Sequence, residues 1–269
     1  MPMKIWWQDV FPEKMKIAPD MKQQYYESLR KGFQKVALED TTVEIHHVKS
    51  SPYILDTIYL ESKNNQWVID GIIEAERRGY DAAIIGCGND PGLYEARQAV
   101  DIPVIGLTES ALLLACSLAT RIGIVAVSEG CAAIVEDRIH RYRLDAKIAF
   151  PIQVYKLADP FTDLFKAVTQ RGNINPQFEE LCRKCIDNGA EIIIPACAAL
   201  SPAATLDNYK EVPGTGVPVL DINEIGVKTA EMQVDLMRFS GVKKSQKGLF
   251  KSIKPAARDR MRELAQVAN

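Results

Sequence analysis

Short apolar runs alternate along the chain with longer segments of helical period. The runs Lys4–Trp7, Val43–Val48, Ala82–Gly86, Val104–Gly106, Ile122–Val127, Ala149–Tyr155, Glu191–Pro195 and Val217–Leu220 predict strands. Several are apolar almost throughout, the pattern of parallel strands buried on both faces. The segments between them have one apolar face. In NPQFEELCRKCIDNG, Phe178, Leu181, Cys182, Cys185 and Ile186 mark a buried stripe. Asn175 suits the cap, Pro176 the first helical position and Gly189 the stop. Strands alternating with helices give an α/β fold with mostly parallel sheets.

The plan is written twice. Gly79 stands eight residues before Cys87, and Gly189 eight before Cys197. Each cysteine ends an apolar run and is followed by a helical segment, then by DIPVIGLTES in one half and GVPVLDINEI in the other. A glutamate follows six residues after each proline, Glu109 after Pro103 and Glu224 after Pro218. The order predicts two pseudo-symmetric domains, each a mostly parallel four-stranded sheet flanked by helices, with the active-site cleft between them. Residues 1–115, joined by the C-terminal helical segment 224–269, would form one domain and residues 116–223 the other.

Ligands of parallel α/β sheets bind beyond the carboxyl ends of the strands. Cys87 and Cys197 both stand at such an end, before a helix, so facing domains would present two thiols from opposite walls. That suits removal of a proton from one face of a carbon and return of a proton to the other. A thiol has an ordinary pKa of about 8.5, which a helix N-terminus can lower. The N–H groups of Gly88, Asn89, Ala198 and Ala199 could stabilise a thiolate or a substrate anion. Cys116, Cys131, Cys182 and Cys185 are read as small apolar core residues.

With 47% hydrophobic and 25% charged residues and a net charge of −2, the chain has no overall attraction to nucleic acid or an anionic membrane. MPMKIWWQDVFPEK reaches charged residues too soon for a signal peptide's apolar core. No apolar run approaches the roughly 20 residues that span a bilayer. Six cysteines without a secretory signal point to free thiols in a reducing compartment, hence a cytoplasmic protein. His46, His47 and His140 have no mutual ligand spacing, so no metal is expected. No phosphate-binding or dinucleotide glycine loop is present, so no cofactor is expected either.

GCGNDPGLYEAR (86–97) closely resembles the first-cysteine motif of hydantoin racemases, and IPACAALSP (194–202) is similar to the second-cysteine segment of the wider aspartate/glutamate racemase superfamily. The resemblance implies a two-domain fold, a cofactor-independent two-thiol mechanism on a small-molecule substrate, and a homo-oligomer. It makes Cys87 and Cys197 the two bases, with Asn89 and Asp90 orienting substrate. The chain departs from the pattern where Trp7, Gln8 and Asp9 replace an Asn-Pro-Asn-like turn, placing Gln8 at the substrate. It departs again where Ala-Ala-Leu follows the second cysteine. The expected activity is racemisation or epimerisation of a hydantoin-like or amino-acid-like carbon acid. A maleate-type cis–trans isomerase and a non-catalytic two-lobed binding protein are the alternatives.

Thr108 and Asn223 hold matching places in the halves and are further candidates for substrate contact. Glu109 and Glu224 are read as carboxylates answering helix dipoles. His46 and His47 are read as edge-strand surface. From Ser240 onward, eight Lys or Arg stand against two acidic residues. This basic tail is read as a solvated terminal helix rather than a polyanion site, with Ala257, Met261 and Leu264 at the spacing of a narrow docking face.

Overall fold

The computed structural model describes residues 1–267 except 16, 52–54, 158–162, 164, 166–175 and 203–208. The first half runs β1 (Met3–Pro12), α1 (Pro19–Val36), β2 (Thr41–Val48), α2 (Ile58–Arg77), β3 (Ala82–Ile85), α3 (Leu93–Ala99), β4 (Val104–Gly106) and α4 (Leu107–Leu118). The second runs β5 (Ile122–Ala126), α5 (Glu129–Tyr142), β6 (Gln153–Val154), α6 (Pro176–Asp187) and β7 (Ile192–Pro195). Two further helices follow, α7 (Ile222–Ser240) and α8 (Pro255–Val267). The expected cap Asn175 lies outside the described residues.

The first sheet is wholly parallel, in the order β2-β1-β3-β4, with Ile5 opposite Val43, Trp7 opposite Ile84 and Ile84 opposite Ile105. The second has the order β6-β5-β7, with Val125 opposite Gln153 and Ile124 opposite Ile194. Its fourth member, the expected strand Val217–Leu220, is a parallel bridge between Ile193 and Val219. Two hydrogen bonds hold it, Ile193 N to Pro218 O and Leu220 N to Ile193 O, each 2.9 Å. Its other edge is taken by residue 210, whose carbonyl accepts from Val219 N. The expected strand Ala149–Tyr155 shrinks to Gln153–Val154, because Pro151 brings no N–H to the ladder.

The internal repeat is visible bond by bond. Gly79 and Gly189 end their helices at φ +76° and +89°, a region glycine enters without penalty. Equivalent bonds then follow, Ala83 N to Pro103 O beside Ile193 N to Pro218 O, and Gly86 N to Gln8 O beside Ala196 N to Val125 O. One apolar core runs through both halves. Helix α4 packs on α7 and reaches β5 and β7, joining Leu107, Ala111 and Leu112 to Ile122, Ile124, Ile192 and Ile194. Among the described residues no helix is long and apolar enough to cross a membrane.

The basic tail docks by its charged face, contrary to the sequence pattern. Arg258 is buried, donating to Glu76 (3.0 Å) and to the Ala99 carbonyl (2.6 Å), while Arg262 meets Asp70 at 2.7 Å. Met261 and Leu264 remain 66% and 57% exposed, and Ala257 is exposed with them. The guanidinium groups of Arg258 and Arg262 take the contacts with α2, and the thin apolar stripe is left to solvent.

Candidate active site

Both cysteines leave their strands through the same turn. Cys87 N donates to Ile85 O and Cys197 N to Pro195 O, each at 2.8 Å. The carbonyl just after each cysteine is then held from the matching place in the other part of its half. Thr108 Oγ1 donates to Gly88 O at 2.5 Å, and Asn223 Nδ2 donates to Ala198 O at 2.8 Å. The loops meet tip to tip. A Cβ built on Gly88 would lie 2.2 Å from Ala196 O and 3.0 Å from Cys197 N, so only glycine allows this approach. Gly86, on the other side of Cys87, leaves room for the Trp7 indole.

The loops close the floor of a cavity of about 110 Å³ lined by both cysteines, Gly88, Asn89, Ala198 and Ala199. That volume is below the roughly 300–1,000 Å³ of pockets for drug-sized ligands, so the cavity admits a small molecule. Its walls are mainly apolar, with Val10, Phe11, Leu55, Val127 and Leu157. The polar lining comes from Tyr25, Asp56, Asn89 and Ser128. Among the described residues that line it there is no Lys, Arg or His.

All six cysteines are free thiols. Burial pushes the Cys87 thiol well above its usual range, against the lowering effect of a bond from the Asn89 backbone. Burial likewise pushes Cys197 up to about 11, although the Ala199 and Leu200 backbones pull it down. Backbone N–H groups of both loops therefore lower the thiols, and desolvation outweighs them. Neighbouring thiols add to the rise, Cys131 and Cys197 at Cys87 and Cys131 at Cys197, since each thiolate in the cavity meets the charge of another.

Comparisons with known proteins place the chain in a family. The model of the Asp/Glu/Hydantoin racemase family matches residues 17–230. The chain belongs to the Asp/Glu/Hydantoin racemase family. It is 32% identical to the hydantoin racemase of Pseudomonas sp. (strain NS671) over 208 residues, covering 76% of this chain and 78% of that one. The hydantoin racemase of Rhizobium meliloti is 29% identical over 160 residues, covering 60% of this chain and 63% of that one. In fold it is similar to the allantoin racemase from Klebsiella pneumoniae, with a TM-score of 0.76 at 20% identity over 94% of each chain. It is also similar to glutamate racemase from Francisella tularensis, with a TM-score of 0.58 at 12% identity over 91% of this chain and 84% of that one.

Within this racemase fold, several residues expected at the substrate lie outside the cavity. Gln8 is buried with its amide fully engaged, accepting from Trp6 Nε1 (2.8 Å) and donating to Asp9 O (2.9 Å) and His46 O (3.3 Å). Strand β1 runs on to Pro12, so its carboxyl end reaches the cavity at Val10 and Phe11 instead. Asp90, at φ +50°, turns away to cap α4, accepting from Thr108 N (3.2 Å) and Glu109 N (2.8 Å). Burial raises its carboxyl to about 7 even against these bonds. Thr108 and Asn223 support the loops without lining the cavity. Glu109 pairs with Arg97 through both oxygens, and Glu224 with Lys35 at 2.6 Å. His46 stacks on Trp6 at 3.3 Å, and His47 Nδ1 lies 3.0 Å from Asp9 Oδ2, so neither is free surface.

The sequence pattern also missed a third thiol. Cys131 lies in the first turn of α5, where its N–H donates to the Ser128 cap, and it lines the cavity with its Sγ 3.9 Å from Leu55 O. From the same helix Arg138 Nη2 donates to Glu61 at 2.9 Å, and Nε to Asn89 O at 3.4 Å, tying the second half to the first cysteine's loop.

The capping role of Asp90 predicts a stability effect. Asp90→Ala is expected to cost about 1–2 kcal/mol, as other lost helix caps do. Asp90→Asn, which keeps one acceptor, is expected to cost less. Urea unfolding midpoints at constant slope check both.

Proposed function

We propose that the chain is a cofactor-independent racemase or epimerase in which Cys87 and Cys197 act as opposed bases on the α-carbon of a cyclic ureide. Hydantoin racemase relatives support the reaction class. The observation that carries the residue roles is the contact of Gly88 with the Ala196–Cys197 peptide, which sets the two thiol loops against one cavity. The two lobes of this reading are residues 1–115 with 224–269, and residues 116–223, each supplying one thiol.

In one direction the thiolate of one cysteine takes the α-proton. The C–H bond breaks, an S–H bond forms and the electron pair passes to the neighbouring carbonyl oxygen. The opposite thiol then gives its proton to the other face of the carbon and becomes the thiolate. The reverse substrate enantiomer uses the roles in exchange. Mutual repulsion in the cavity favours one thiolate with one thiol, the pairing this cycle needs. Gly88, Asn89, Ala198 and Ala199 supply backbone N–H groups beside the reacting centre.

The lining favours a neutral ring over an amino acid. A substrate carboxylate would lose its water among apolar walls and meet Asp56, with no cation among the described lining residues in return, at a cost of several kcal/mol. Chiral chromatography of single-enantiomer 5-substituted hydantoins, aspartate and glutamate tests this. Racemisation of a hydantoin with the two amino acids unchanged is expected, and racemisation of the amino acids alone would refute it.

The raised thiols predict slow alkylation at neutral pH. Their thiolate fraction grows about tenfold per pH unit up to the folded pKa, whereas a free cysteine levels off above about 8.5. Iodoacetamide labelling of Cys87 and Cys197, followed by peptide mass spectrometry, is therefore expected to keep accelerating beyond pH 9.

A further inference from the structure

The polar side chains that line the cavity are mostly committed elsewhere. Asn89 Nδ2 donates to Leu55 O at 2.6 Å, Ser128 Oγ accepts from Cys131 N as the cap of α5, and Asp56 brings acceptors. Tyr25 differs. It is 2% exposed and lines the cavity, and no hydrogen bond commits its hydroxyl to another described residue. Its ring is fixed by edge contacts with Tyr26 at 4.9 Å and Phe165 at 4.8 Å between centroids. Both neighbours lie in the apolar core that holds the ring, so the hydroxyl's direction is set by packing.

We propose that the Tyr25 hydroxyl is the side-chain donor that stabilises the enolate oxygen formed when either cysteine removes the α-proton. The inference rests on the racemase reading above and adds a residue from α1 that neither cysteine motif contains. A hydroxyl donor at the cavity wall gains most when the oxygen facing it acquires charge. Proton removal does that in both directions, since the same carbonyl oxygen receives the electron pair whichever thiol acts. Tyr25 itself gives up no proton: it donates a hydrogen bond that strengthens and then relaxes as the opposite thiol restores the C–H bond. Burial, Asp9 and the two cysteines all push its phenol above the usual 10, which keeps it in the donor form throughout the working range.

Tyr25→Phe deletes the hydroxyl and leaves the ring. Exchange of the α-proton of a 5-substituted hydantoin in D2O, followed by proton NMR, is expected to lose roughly 10²–10³-fold in kcat, the scale for removing one oxyanion donor. KM is expected to change less than about threefold, because the ground-state carbonyl needs the donor far less. The thermal midpoint is expected to hold. Retention of full kcat by Tyr25→Phe, beside an active wild type, overturns the inference and leaves the racemase reading standing. So does a KM effect without a kcat effect, which would make the hydroxyl a ground-state contact. A wild type that exchanges no α-proton overturns the racemase reading and this inference with it.

Discussion

Alanine at Cys87 or at Cys197 is expected to reduce racemisation of a hydantoin about 10³–10⁴-fold, in both directions, when followed by polarimetry. The magnitude is that of losing a positioned acid–base group. Either variant lacks one face of the reaction, so neither direction survives: one thiol can still remove a proton, but nothing opposite returns one. Serine is not expected to rescue, because its hydroxyl is a far weaker acid than a thiol. Cys116→Ala is the control. That residue is half-buried on α4, packs against the core and does not line the cavity, so activity is expected to persist.

Gly88→Ala is expected to damage activity without touching a reactive atom. Its methyl would meet the Ala196 carbonyl carbon at 2.6 Å as well as the oxygen at 2.2 Å, and both belong to backbone that cannot rotate away. The loops must separate, and with them the thiols. Misplacement of about 1 Å in a reacting group can cost 10²-fold, which is the loss expected in kcat. Gly32→Ala tests the specificity of the argument. Nothing lies within 4 Å of its Cβ position on helix α1, so that change is expected to leave activity intact and stabilise by about 0.5–1 kcal/mol. Chiral chromatography and urea unfolding separate the two outcomes.

Much of this architecture was legible because it is written in local signals. Apolar runs announced the buried strands β3, β5 and β7, and two glycines eight residues before two cysteines announced the repeat. The cysteine loops were legible for the same reason. The cavity walls were not. Val10, Phe11, Leu55 and Leu157 come from distant segments and carry apolar side chains that hydropathy assigns to any core. Tyr25 sits on the apolar face of α1 beside Tyr26, and nothing in the spacing distinguishes a ring that ends in a cavity from one that ends in a hydrogen bond. Asp90 misled for a different reason: a carboxylate beside a reactive cysteine invites a substrate role. Its partners are the N–H groups of Thr108 and Glu109, on a helix whose approach the sequence does not give. The docking of α8 through Arg258 was invisible for a like reason, since ion pairs with α2 depend on tertiary proximity.

The most direct test of the two-thiol account is the fate of the proton in the first turnovers. A single hydantoin enantiomer with an apolar 5-substituent would be incubated with the protein in D2O, and both enantiomers recovered early and examined by mass spectrometry. Two opposed bases predict deuterium at the α-carbon of the new enantiomer while the remaining substrate still carries protium, because the proton leaves to one cysteine and solvent deuterium arrives from the other. Deuterium entering the remaining substrate as fast as the product, or protium carried over into the product, would mean that a single base serves both faces, and would contradict the account.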